Sequence, residues 1–157
     1  MENVYATDWD AIEDHPGYEW QRIRLGRRLG AEMLGASVYV LGPGQKSFPY
    51  HFHHANEEML IVLEGNVTVR TPEGEKDASL GDAVSFRTGA RGAHQVINRS
   101  DDPARILMIS TMVSPEIAEY PDSGNVGIFA GRAPGAAGEG LQKFIDGSAV
   151  VDYFEGD

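Results

Sequence analysis

An all-β fold, an antiparallel sandwich or barrel, is what the sequence predicts, and three observations predict it. Nineteen glycines and eight prolines recur at short intervals along 157 residues, too often for long helices. Between them stand brief runs rich in Val, Ile and Tyr, residues that fit a pleated, half-buried surface. The gaps carry turn chemistry, so short strands follow one another as they do in sandwiches and barrels.

Taken in order, strands are expected at 22–25, 34–41, 58–64, 67–71, 76–80, 83–86, 94–98 and 104–112. The separators are Gly42-Pro43-Gly44, Gly65-Asn66, Pro72-Glu73-Gly74, Gly81-Asp82 and Ser100-Asp101-Asp102-Pro103. Gly65 and Gly81 stand where tight turns need positive φ. The runs Ser37 to Leu41 and Ile106 to Ile109 are apolar enough to be buried on both faces, whereas Val67-Thr68-Val69-Arg70 alternates, as a strand with one wet face does. Residues 31–113 form the barrel, 1–30 an N-terminal extension and 114–157 a C-terminal extension that packs on the barrel or on a partner subunit. Trp9, Tyr18 and Trp20 would be wasted in a free N-terminal tail. After the glycine-rich stretch 131–138, short elements are expected at 141–144 and 149–154.

The size suits one domain with a real core. There is no cysteine, so a disulfide framework and a thiolate metal site are excluded. The first twenty residues hold neither a basic leader nor an apolar run, and no stretch approaches a membrane span; a cytoplasmic protein without membrane contact is expected. The formal net charge of −11 repels phosphate backbones, so nucleic acid is not an expected partner. Arg22, Arg24, Arg27 and Arg28 are the one basic cluster. They read as a solvated strand edge or turn, with anion binding as the other reading.

The chemistry concentrates in His51-Phe52-His53-His54-Ala55-Asn56-Glu57-Glu58. On a strand His51 and His53 point the same way, roughly 6.5–7 Å apart along the backbone, close enough to converge on one ion. Glu57 or Glu58, heading the next strand, adds a carboxylate oxygen, and His94 begins another strand. Such a nitrogen and oxygen set suits Mn, Fe, Ni, Co, Cu or Zn rather than Ca or Mg. His54 points away from this face, and His15 reads as a turn or packing residue. Tyr39, Tyr50 and Gln95 are candidates for the surrounding pocket, and Asn98 for a strand-end structural role.

The spacing Gly44, His51-x-His53, four residues, Glu58, six residues, Gly65 resembles the first motif of the cupin superfamily, and selects Glu58 over Glu57. The second motif reads Gly81, five residues, Arg87-Thr88-Gly89, four residues, His94, three residues, Asn98. It departs from the family pattern in having Arg87 for Pro and two extra residues before His94, both within a loop. The resemblance implies a double-stranded β-helix, or jelly roll, and one divalent transition metal held by His51, His53, Glu58 and His94. Glu119-Tyr120-Pro121-Asp122-Ser123-Gly124 looks like a subfamily signature, to which no chemistry is attached. The family also implies a small-molecule ligand and a homodimer. The function expected is a metalloenzyme acting on a small oxygenated metabolite such as a sugar acid or keto acid, by isomerase, lyase or dioxygenase chemistry. A non-catalytic binding or sensing module is the alternative.

Overall fold

The structure, a computed structural model, describes residues 1–136 and 138–155. Thirteen strands and one helical turn follow one another: β1 (Ala11–Glu13), β2 (Trp20–Ile23), α1 (Leu25–Arg28), β3 (Leu34–Leu41), β4 (Phe52–His53), β5 (Glu58–Glu64), β6 (Asn66–Thr71), β7 (Gly74–Ser79), β8 (Ala83–Phe86), β9 (Gln95–Ile97), β10 (Ala104–Thr111), β11 (Glu116–Tyr120), β12 (Asn125–Ala130) and β13 (Leu141–Asp146). A 3-10 turn, Ala90–Gly92, precedes β9. No described helix is long and apolar enough to cross a membrane.

One sheet runs β1-β2-β3-β10-β5-β8. The strands β13-β12-β11-β4 and β7-β6-β9 make the opposing wall, and antiparallel bridges His51↔His94 and Lys46↔Ile97 stitch its two parts together. Tyr39 and Leu41, Leu60 and Val62, Val67 and Val69, and Ile106 and Met108 project inward at every second residue and join Val96 and Phe86 in one buried cluster between the sheets. The architecture is a double-stranded β-helix.

The long apolar runs form β3, β5 and β10 at or within one residue of the expected bounds, and β10 lies between the other two. Gly65 turns β5 into β6 with φ of 71°. A Cβ there would also stand 2.8 Å from the Pro103 carbonyl oxygen. Thr68, expected on a wet face, is buried because its hydroxyl donates to Asp77 on the neighbouring strand. The strand expected at 22–25 starts earlier, at Trp20, and ends at Ile23, because Arg24 opens a helical turn closed by Arg28 N–H to Arg24 C=O. Trp20 packs edge-on against Tyr39. Strands β1, β11 and β12 were not expected, and β4 is the short strand on which His51 and His53 were read. The element expected at 141–144 is β13, and 149–154 forms no strand.

Candidate metal centre

The seam of the second sheet is also where its histidines meet. His51 and His94 are cross-strand partners, each donating its backbone N–H to the other's carbonyl, at 3.1 and 2.8 Å. Directly paired residues share a face, and the two rings lie 4.7 Å apart. His53, two residues on, takes the same face, with its ring 5.0 Å from that of His51. Glu58 arrives from the opposite sheet at the head of β5, where it pairs with Ser110 and Phe86. Its Oε2 lies 4.0 Å from His51 Nε2, 3.4 Å from His53 Nε2 and 3.1 Å from His94 Nε2. All four side chains are largely buried.

Two imidazoles are fixed from behind. His51 Nδ1 donates to the Pro49 carbonyl at 2.8 Å and His94 Nδ1 to the Gly92 carbonyl at 2.9 Å. Since a carbonyl only accepts, Nδ1 carries a proton, and in the neutral ring each Nε2 presents a lone pair. That lone pair faces the Glu58 carboxylate, which is an acceptor too. His94 Nε2 and Glu58 Oε2 are accordingly buried without a hydrogen-bond partner. Phe86 stacks flat on the His94 ring at 3.7 Å, and Tyr120 stacks on His51 at 5.8 Å. The two residues by which the loop exceeds the family spacing are taken up around Gly89, with φ of 77°, and the 3-10 turn that ends at Gly92.

The charges follow from this enclosure. Burial, and then repulsion from His94, drives the His51 pKa down to about 3. Burial alone would also lower His53, but the Glu58 carboxylate and then Glu116 outweigh it and raise its pKa. For Glu58 burial opposes ionisation, yet His53 and His94 hold the carboxyl far below the usual carboxylate range.

The cluster opens into a cavity of about 640 Å³ lined in part by Tyr39, Phe48, Met108, Tyr120 and Phe129. Burial pushes the Tyr39 phenol up to about 12 and raises that of Tyr120, with Glu58 adding to both. Tyr50 lines an adjoining cavity that shares Phe48, Pro49, Tyr120 and Phe144 with the first, and its ring lies 4.1 Å beneath the Arg70 guanidinium. Gln95 is buried and donates its amide to the Phe48 carbonyl. Glu57 is exposed, and His54 is an exposed partner of Glu119 at 2.7 Å. Asn98, fully buried, ties the carbonyls of Leu41 and Asp102 together.

Sequence reasoning missed Tyr120 and Glu116, and ranked a binding role for the arginines second. Tyr120, within the stretch 119–124, stands on the cavity wall. Glu116 is wholly buried behind the cluster, its Oε2 3.8 Å from His53 Nδ1, and it accepts N–H groups from His54, Ala55 and the Asn56 side chain. Arg22, Arg24 and Arg27 line the cavity, where a solvated edge was the first expectation. The alternation Glu116, Ala118, Tyr120 between two prolines was the signal available for β11.

A family model described as Cupin domain matches residues 37–110, from β3 into β10. The chain is 30% identical over 103 residues to the tetracenomycin polyketide synthase protein TcmJ of Streptomyces glaucescens, a match covering 62% of this chain and 64% of that protein. It thus spans just under two thirds of that curated relative. Among solved structures, a sugar phosphate isomerase from a cupin superfamily, from Silicibacter pomeroyi, superposes with a TM-score of 0.73 at 28% identity, over 83% of this chain and 78% of the other. A protein of Acidithiobacillus ferrooxidans superposes with a TM-score of 0.79 at 23% identity, over 95% and 91%.

Proposed function

This chain belongs to the cupin superfamily, and from that premise we propose that His51, His53, Glu58 and His94 hold one divalent transition metal at the active site of an enzyme acting on a small oxygenated metabolite. One observation carries the reading: His94 Nε2 and Glu58 Oε2, both buried and both presenting lone pairs, stand 3.1 Å apart without a partner. Two facing acceptors repel unless a cation or a proton lies between them, and in the neutral ring the Gly92 carbonyl keeps the single proton on Nδ1. Three imidazoles and one carboxylate suit Mn, Fe, Co, Ni, Cu or Zn. When bound, such an ion supplies Lewis acidity toward a substrate oxygen.

The chain's own residues do the rest. Tyr39 and Tyr120, kept protonated by burial, line the wall beside the cluster and offer hydroxyl donors to a bound carbonyl or enolate. Phe48, Met108 and Phe129 give the cavity an apolar side that excludes water. The relative from Silicibacter pomeroyi supports isomerase chemistry among the reactions open to this donor set. A metal-dependent isomerase or lyase for a sugar acid, keto acid or related carbonyl compound is the function we favour.

The test is incubation of a panel of small aldoses, ketoses, sugar acids and keto acids in D2O with protein loaded with each of these metals. By NMR, wild type forms product or incorporates deuterium beside the carbonyl for at least one compound, and Glu58→Gln does not. Saturable binding without exchange or product under every metal would leave a non-catalytic binding module as the function.

A further inference from the structure

Of the four clustered arginines, Arg28 is occupied: it pairs with Asp8 at 2.9 Å and Asp10 at 2.8 Å and fastens the N-terminal segment to α1. Arg22, Arg24 and Arg27 share a different fate. All three line the cavity that holds the histidine cluster, and none forms an ion pair with a carboxylate among the described residues.

Arg22 reaches from β2 to the Ser37 hydroxyl, through Nε at 3.1 Å and Nη2 at 2.9 Å, and its guanidinium lies 5.2 Å from the Tyr39 ring centre. A neutral hydroxyl leaves that charge uncompensated. Arg24 Nε is buried with no hydrogen-bond partner at all. Arg27 follows on α1, exposed at the rim. The turn that carries Arg24 and Arg27 is pressed against β3, for a Cβ on Gly26 would stand 2.9 Å from the Leu34 carbonyl oxygen and 3.0 Å from the Ala36 nitrogen. The arginines are thereby held on the wall formed by β3, the strand that also supplies Tyr39.

In a chain of net charge −11, three guanidiniums without a carboxylate partner outnumber Glu32 and Glu58, the carboxylates that line the same cavity, and draw an anion inward. A carboxylate is satisfied by a single bidentate arginine, whereas several guanidinium forks match the acceptor oxygens and double charge of a phosphate. We propose that Arg22, Arg24 and Arg27 form an anion subsite for the phosphate group of a phosphate monoester substrate whose oxygenated end reaches the histidine cluster. This deepens the proposed function and rests on reading that cluster as the reacting end of the cavity.

Inorganic phosphate is the probe, titrated calorimetrically into chelator-treated protein so that no metal takes the anion. Three proteins are compared: wild type, Arg24→Gln/Arg27→Gln and His51→Ala/His53→Ala, with Arg27→Gln alone added because its exposed side chain has no part in packing. Arg22 is left intact, since it braces Ser37 and Tyr39. Wild type and the histidine variant bind phosphate alike, the double arginine variant about tenfold or more weakly, and Arg27→Gln falls between. Acetate binds more weakly than phosphate to wild type. No phosphate binding to wild type up to about 10 mM, unchanged binding in both arginine variants, or acetate binding as tightly as phosphate would each overturn the proposal. Metal content measured on the same proteins as purified, before chelator treatment, separates the two readings. Protein that holds metal but no phosphate refutes the anion subsite alone, and protein that binds phosphate through the arginines yet holds no metal refutes the metal centre alone.

Discussion

Glu116→Gln tests how the candidate centre is braced. The Glu116 side chain is fully buried, and Oε1 accepts the His54 and Ala55 backbone N–H groups at 2.9 and 3.3 Å while Oε2 accepts the Asn56 side-chain amide. Glutamine fits the space but carries no charge, so the two backbone bonds fall from charge-assisted to neutral strength, about 1 kcal/mol each. The third contact reverses. Asn56 cannot flip to meet the new amide, because its Oδ1 accepts from Val113 N–H and Thr111 and its Nδ2 donates to the Val113 carbonyl. Two amino groups then face each other in a dry site, at about 1–3 kcal/mol. Relief of a buried charge offsets part of this, leaving a net loss of about 2–4 kcal/mol. With a urea m-value of about 2 kcal/mol/M, the unfolding midpoint of metal-free protein falls by about 1–2 M at unchanged m. The surface control Glu119→Gln, which loses only the exposed His54 pair, shifts stability by less than about 0.5 kcal/mol. Equal midpoints for Glu116→Gln and wild type would refute the claim that this carboxylate holds the His53 to Asn56 segment in place.

Other consequences are as open to measurement. A Cβ at Gly92 would overlap the Arg87 carbonyl, so Gly92→Ala must displace the backbone that fixes His94 Nδ1. Zn²⁺ affinity, by competition with a chromophoric chelator, falls about 10–100-fold; unaltered affinity would dissociate that carbonyl from the site. A raised His53 pKa means that its stabilising pairing with Glu58 is complete below about 6.5 and fades as pH rises through the raised value, so metal-free protein loses this contribution in alkali. Metal requires the same imidazole neutral, so the thermal stabilisation by added Zn²⁺ grows from pH 5.5 to pH 8, both about the ordinary histidine range; an increment independent of pH would contradict His53 as a ligand. The edge strand β13 exposes Leu141 and Ile145 on the face away from the cavities, a face that a homodimer would cover. Light scattering then gives twice the 17.1 kDa chain mass, and a monomer at micromolar concentration would remove the dimer.

What could be read from the residues divides along the range of the forces involved. Strands β3, β5 and β10 were legible because each is a largely apolar run with glycine or proline turn chemistry at one end, which needs a covered face wherever it is placed. His51, His53, Glu58 and His94 were legible as a set because their offsets from Gly65 and Gly81 follow a motif, and the backbone pairing of His51 with His94 brings them together. Strand β4 has two residues and little propensity of its own, and β11 exists through its register Ala118↔His53 and Glu119↔Phe52. Glu116 and Tyr120 therefore reach the cluster only through pairing across more than sixty positions. Arg22, Arg24 and Arg27 looked like solvated charges because nothing local shows that β2 pairs with β3 or that Gly26 presses the turn carrying Arg24 and Arg27 onto it.

The central claim is settled most directly by elemental analysis of untagged protein purified without a metal column, beside a His51→Ala/His53→Ala variant whose circular dichroism matches wild type. The metal reading predicts close to one equivalent of Mn, Fe, Co, Ni, Cu or Zn in wild type and almost none in the variant. Wild type without metal, with a melting temperature that none of these ions raises, would contradict it and leave a metal-free binding barrel in its place.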